Sequence, residues 1–213
     1  FILRNKNSII NKLENSKKKE LYLSKIHQQS WNKNSIIIIT SIVLITTSLA
    51  LIQVTLPLDL FKGVVYREVL NERLICFIIS FQLILLFILQ WPVGSGISKK
   101  GKLFGLKFSL INFAFASLLL FLSSYLKIGA YFIVFLAIIL ISIGTSSFLP
   151  TSTDVVFSIA PYNKKGYALA ILSQCFAMGY FFGPFVSGRV LDFYGYASII
   201  WVSISFFCFT MFT

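Results

Sequence analysis

Charge, histidine and usefully placed cysteine are all scarce in this sequence. Only 12% of its 213 residues are Asp, Glu, Lys or Arg, roughly half the ~25% of an ordinary soluble domain. With 57% of the chain hydrophobic, so few charges cannot cover an apolar surface in water. A soluble enzyme, a disulfide-rich secreted domain and a disordered tail are excluded on that ground. The single histidine, His27, sits in a polar amino-terminal stretch, so a histidine-based catalytic or metal constellation cannot be assembled. Cys76, Cys175 and Cys208 each lie inside an apolar run without a CxxC or CxxH neighbour. They read as small core residues, and neither a metal nor a cofactor is expected. Acidic residues are scarcer than basic ones, seven against nineteen, for a net charge of +12. Clustered cations can neutralise nucleic-acid phosphates. Here, beyond a basic leader, they punctuate long apolar runs, which is how cytoplasmic loops of multi-span proteins are marked. No nucleic-acid partner is expected.

Apolar length is what the sequence has in abundance. Crossing ~30 Å of hydrocarbon takes about 20 residues of helix. Six stretches are free of Asp, Glu, Lys and Arg: Asn34 to Leu58, Leu74 to Ser98, Phe108 to Leu126, Ile128 to Thr153, Gly166 to Gly188 and Phe193 to Thr213. Unbroken Ile, Leu and Phe lack the alternation of barrel strands, so the spans are helical. The expected fold is an all-α integral membrane protein. It comprises a basic leader over 1–34 and six transmembrane helices over 35–213, near 35–57, 74–94, 105–126, 129–150, 166–188 and 194–213.

The links between these runs set the orientation. The leader, the second link and the fourth link carry fourteen of the Lys and Arg residues, and the other links carry five. The leader therefore belongs in the cytoplasm. Its Ile9, Ile10, Leu13, Leu21, Leu23 and Ile26 suit either a solvated connector or a helix lying on an anionic leaflet. The chain begins at Phe1 without Met and stops inside its last apolar run, as expected of one piece of a longer protein.

Two motifs carry mechanism. The second apolar run closes in "QWPVGSGISKKGKLFG", where glycines permit a tight turn and lysines hold it in the cytoplasm. The fifth contains "GYFFGPFVSG", with Gly179, Gly183, Pro184 and Gly188. Small residues four apart let helices approach, and Pro184 removes a backbone bond. With "SIAPYNKKGYALA" before it, this order of motifs resembles the major facilitator superfamily of secondary transporters over about residues 35–213. Gly94, Ser98, Lys99, Lys100, Gly101 and Lys102 match the spacing of that family's loop between the second and third spans, with Ser98 at its acidic position. The resemblance implies a twelve-helix bundle built from two six-helix halves. It also implies conformational gating and packing roles for Gly94, Ser98, Lys99, Gly101, Lys102, Asp154, Gly179, Gly183, Pro184 and Gly188. The leader's length, the missing Met, the absent loop Asp and a fourth span without Arg point to spans seven to twelve. The strength of the glycine-proline motif points to the first half.

Polar residues within the runs are candidates for a substrate path, since burying them in lipid without partners is costly. They are Gln53, Gln82, Gln90, Asn112, Thr145 and Gln174, with Ser117 and Ser173 beside them. Bonding to a neighbouring helix is the plainer role for any one of them. No charged side chain is expected at mid-membrane depth. Asp154 is expected near Lys99 or Lys102, or solvated, and Arg189 near Asp192. The expected function is alternating-access transport of a small organic solute, with efflux as the suggested direction, in a bacterial plasma membrane. The partners expected are the lipid bilayer, the solute and the missing six-helix half. The alternatives are the membrane subunit of an ATP-driven permease, a membrane enzyme, and a scaffold. No catalytic cluster or GxxxxGKS/T loop supports the first two.

Overall fold

A computed structural model of the chain describes residues 33–62, 66–67, 69–160 and 165–212. Residues 1–32 of the leader, with its amphipathic pattern, lie outside these residues, and Lys33 and Asn34 open the first helix. The described residues form six helices: α1 (Lys33–Lys62), α2 (Glu72–Lys100), α3 (Lys102–Ser123), α4 (Ala130–Ile159), α5 (Lys165–Tyr194) and α6 (Ser198–Phe212). No strand occurs among the described residues. Five of the helices are long and apolar enough to cross a membrane. The sixth, α6, has 15 residues and is about 22 Å long. Six full spans were expected; the described part of the last one is shorter than the bilayer core.

The helices run past the charge-free stretches that suggested them. α1 continues through Asp59 to Lys62, and α4 passes Asp154 to reach Ile159. Gly101 alone separates α2 from α3, so Lys100 and Lys102 are helical and not loop residues. Lysine is a good helix former, and absence of charge marks hydrocarbon depth, not helix length. Gly101 has φ 102°, a conformation in which a side chain would be strained, so the one-residue reversal requires glycine.

Contacts between helices fix their relative directions. Ser142 and Ser146 on α4 donate to the carbonyls of Gln82 and Leu86 on α2 (both 3.4 Å), so α2 and α4 run parallel. On α3, Gly105 faces Ser147 and Thr151 of α4, and Phe113 packs edge-on against Phe148 with centroids 6.3 Å apart. Lys102 reaches Asp154, so these two helices are antiparallel. Phe115 with Phe209 and Lys107 with Phe212 make α3 antiparallel to α6. Lipid offers no hydrophobic drive between helices, and close packing takes its place. A Cβ on Gly105 would come within 2.6 Å of Ile97 and Thr151, and one on Gly144 within 2.7 Å of Phe113. α3 and α4 are the most enclosed of the membrane-length helices, and Ser142, Thr145, Ser146, Ser147, Thr151 and Ser152 are all buried along α4. Most of these hydroxyls bond carbonyls of α4 itself. By contrast, α2 and α5 expose large apolar side chains, Phe87 at 80% and Trp91 at 83% among them.

Candidate functional site

Small residues on a four-residue repeat bring α5 against α1. Gly179, Gly183 and Ser187 are buried in succession on one face of α5. A Cβ on Gly179 would lie 2.8 Å from the Ala50 Cβ, and one on Gly183 would lie 3.6 Å from Val54. Three polar contacts continue the seam. Tyr180 hydroxyl donates to Gln53 Oε1, Thr55 and Ser187 hydroxyls pair at 2.6 Å, and Lys62 meets Asp192 at 3.0 Å. Residue numbers rise together along both helices, so α1 and α5 run parallel. Arg189 and Asp192 could have paired; Asp192 meets Lys62 instead, and the Arg189 guanidinium lies over the Phe185 ring, 5.0 Å from the centroid.

At the same end of α1 is a feature the expected spans did not contain. Asp59 is fully buried and Arg67 is 3% exposed. Arg67 Nη2 lies 3.0 Å from Asp59 Oδ2 and 3.1 Å from the Asp59 carbonyl oxygen. Arg67 Nη1 donates to Ser123 Oγ at the end of α3 (3.0 Å), and Trp201 Nε1 of α6 donates to Asp59 Oδ2 (3.3 Å). Leu70 N–H to the Leu60 carbonyl, 3.4 Å, ties the link after α1 back to that helix. One carboxylate thus gathers α1, the α1–α2 link, α3 and α6. The pair lies near the end of α1, three residues before Lys62, and Asp59 is the next step of the buried stripe Ile42, Ile45, Leu49, Ile52, Leu56. A buried ion pair survives only where geometry and extra hydrogen bonds offset desolvation. Asp59 Oδ1 and Arg67 Nε nevertheless have no partner.

The opposite end, where the lysines gather, is held differently. Lys102 Nζ lies 3.3 Å from the backbone carbonyl of Asp154, at an exposed site, and not at its carboxylate. Lys100 lies over Phe104 and Lys165 over Phe157, 5.1 and 4.3 Å from the ring centroids. The side chains of Ser98 and Lys99 are outside the described residues. A Cβ on Gly94 or Gly188 meets nothing within 4 Å, so neither position needs glycine for packing within this chain. Pro184 is inside α5 and exposed.

The path candidates do not converge. Gln53 is half-buried in the α1–α5 seam; Gln90 and Gln174 are exposed, and Gln82 is half-buried on α2. Buried Asn112 donates to the Phe108 carbonyl (2.7 Å), Thr145 to that of Ile141 (2.8 Å) and Ser117 to that of Phe113 (2.8 Å), each within its own helix. Ser173 is exposed and donates to the Leu169 carbonyl. A cavity of about 320 Å³ does open between α1, α5 and α6, lined by Thr47, Ser48 and Ser203 among apolar neighbours. It contains none of the six. Thr47 and Ser48 could be found only by noting that they flank the buried stripe of α1.

No family model matches the chain, and no solved structure matches it. Over 54 residues, 25% of the chain, it is 35% identical to the multi-drug resistance efflux pump PmrA homolog of Lactococcus lactis subsp. lactis (strain IL1403). The matched stretch spans 13% of that protein. Together with five membrane-length apolar helices, this similarity fits a multi-pass membrane protein of the transporter kind.

Proposed function

We propose that the chain is one six-helix half of a major facilitator-type secondary transporter that exports small organic solutes by alternating access. The observation that carries this reading is the α1–α5 seam. Two long parallel helices meet there through buried glycines, with polar side chains bonding from the middle of the seam to one end. Close, smooth contact permits two helices to rock against each other without losing packing. The alternating helix directions support a multi-span bundle, and the similarity to an efflux pump supports export. In this reading α6 completes a sixth span. The bundle is the second half of twelve, and the lysine-rich end with the leader faces the cytoplasm of a bacterial plasma membrane. Gly101, Lys102 and the Asp154 carbonyl hold the cytoplasmic end, with Lys99 and Ser98 beside them. Gly179, Gly183 and Pro184 shape the seam. The missing half covers the exposed apolar faces of α2 and α5 and supplies the rest of the path. The reading assigns the chain no catalytic chemistry and no cofactor.

The test uses the complete gene product in proteoliposomes, with a cationic dye such as ethidium as the probe. An imposed pH gradient should drive dye movement, and collapsing the gradient should stop it. Dye movement that needs ATP, or no gradient-driven movement of any probe in a broad panel, contradicts the reading.

A further inference from the structure

An open groove lies at the lysine end of the bundle, between α2 and α3. Pro92, Val93, Gly96 and Ile97 form one wall, Phe104 and Phe108 the other, around a volume of about 210 Å³. The two phenyl rings stack with centroids 6.0 Å apart, so their wall is continuous. Glycine within a helix is destabilising unless something needs the room it leaves. Gly96 is exposed, and a Cβ there would meet nothing within 4 Å, so no described part of the chain uses that room. The groove is not on the face of α2 assigned above to the missing half. That face carries exposed Phe87, and Gly96 follows it by about two and a half turns, on the opposite side of the helix. Lys100 lines the groove and holds its ammonium 5.1 Å from the Phe104 centroid. Lys102 follows across the Gly101 reversal. Among the described residues neither lysine meets a carboxylate, and Asp154 is the one acidic residue at this end beside Lys100, Lys102, Lys107 and Lys165.

We propose that this groove holds one acyl chain of an anionic phospholipid, with the lipid phosphate against Lys100 and Lys102 beside it. Apolar walls with a cation at one end match a lipid's own division into tail and headgroup. Basic pockets between membrane helices on the cytoplasmic side favour anionic headgroups. The groove is smaller than the ~300 Å³ of ordinary small-molecule pockets, and its open side suits a flexible chain and not a compact solute. The tail fills the room beside Gly96, and the phosphate is the anionic partner that the described residues do not supply to the two lysines. The site goes beyond the transporter reading above and rests on it only for placing the lysine end at the cytoplasmic headgroups.

The test uses the full-length protein in nanodiscs of neutral lipid, with a trace of phosphatidylglycerol carrying a diazirine on one acyl chain. Light fixes the lipid where it sits, and peptide mapping locates it. A phosphatidylcholine probe with the same chains reports lipid that merely surrounds the protein. Cross-links over residues 93–108 should be about fivefold more frequent with the anionic probe, the worth of one lysine at an anionic surface. Lys100→Gln should remove most of that preference. Gly96→Leu puts a side chain into the open room with the lysines intact. It should cut cross-linking there about tenfold, the loss expected when about two methylenes are displaced. Arg73→Gln, at an exposed cation at the other end of α2, should change neither. Equal labelling by the two probes in the parent overturns the site. Unchanged labelling in Gly96→Leu also overturns it, since the headgroup would then be held at the surface with no chain in the groove. Loss of labelling on adding excess inorganic phosphate overturns it too, and would make this a phosphate site. The transporter reading is judged separately by dye flux in the parent protein. Preferential labelling with no parental flux keeps the lipid site and removes the transport assignment; flux without preferential labelling does the reverse.

Discussion

The two ends of this helix bundle are closed by different chemistry. At one, a buried carboxylate collects a guanidinium, an indole and, through the guanidinium, a serine, so four parts of the chain meet around it. At the other, the described lysines lie on ring faces or on a single exposed carbonyl. Buried charge interacts strongly and is expensive to separate, whereas exposed charge is screened and weakly held. One end is therefore held by a specific set of buried partners. The other is held by exposed, weakly interacting contacts.

The comparison is most easily broken at the Asp59 end. Arg67→Ala leaves a buried, uncompensated carboxylate and should cost about 3–5 kcal/mol, read as a large fall in melting temperature or loss of folded protein. A melting temperature equal to the parent's would mean that the pair is hydrated and not buried. Next in size is the seam. Gly179→Leu forces a side chain where even a Cβ would lie 2.8 Å from Ala50, and overpacking of this kind costs about 1–3 kcal/mol. Dye flux should fall to background while the protein still inserts. Gly188→Ala, at an open position, should behave as the parent does in both assays. Smallest is Lys102→Ala at the lysine end. It should slow flux a few-fold and leave the melting temperature within about 2 °C; collapse of expression instead would make the lysine an orientation anchor only.

What the sequence revealed and what it hid follow from the same physics. Hydrocarbon demands long charge-free helices, so the cores of all six elements could be located from the runs of Ile, Leu and Phe alone. Helix ends are not under that demand: Lys102 belongs to α3 although it fell outside the expected third span. The glycine seam was legible because small residues four apart have few other uses in a membrane helix. Asp59 was passed over because it followed the last apolar residue of its run. The 3–4 spacing from Ile42 through Leu56 would have placed it on the buried face. Its partners were not legible at all. Arg67 is eight residues away through a link, Ser123 and Trp201 lie on other helices, and only the folded chain brings them together. The neutral polar candidates scattered because hydroxyls and amides can satisfy themselves on their own helix, as Asn112 and Thr145 do.

The contrast between the ends has meaning only if they face opposite sides of a membrane, and cysteine labelling of intact cells tests that directly. Tyr66 and Lys100 are both exposed, one beside the buried ion pair and the other at the lysine turn. In the full-length protein without its native cysteines, Tyr66→Cys should react with an impermeant maleimide added outside. Lys100→Cys should react only after the membrane is permeabilised. Reaction of both from the same side would contradict the account.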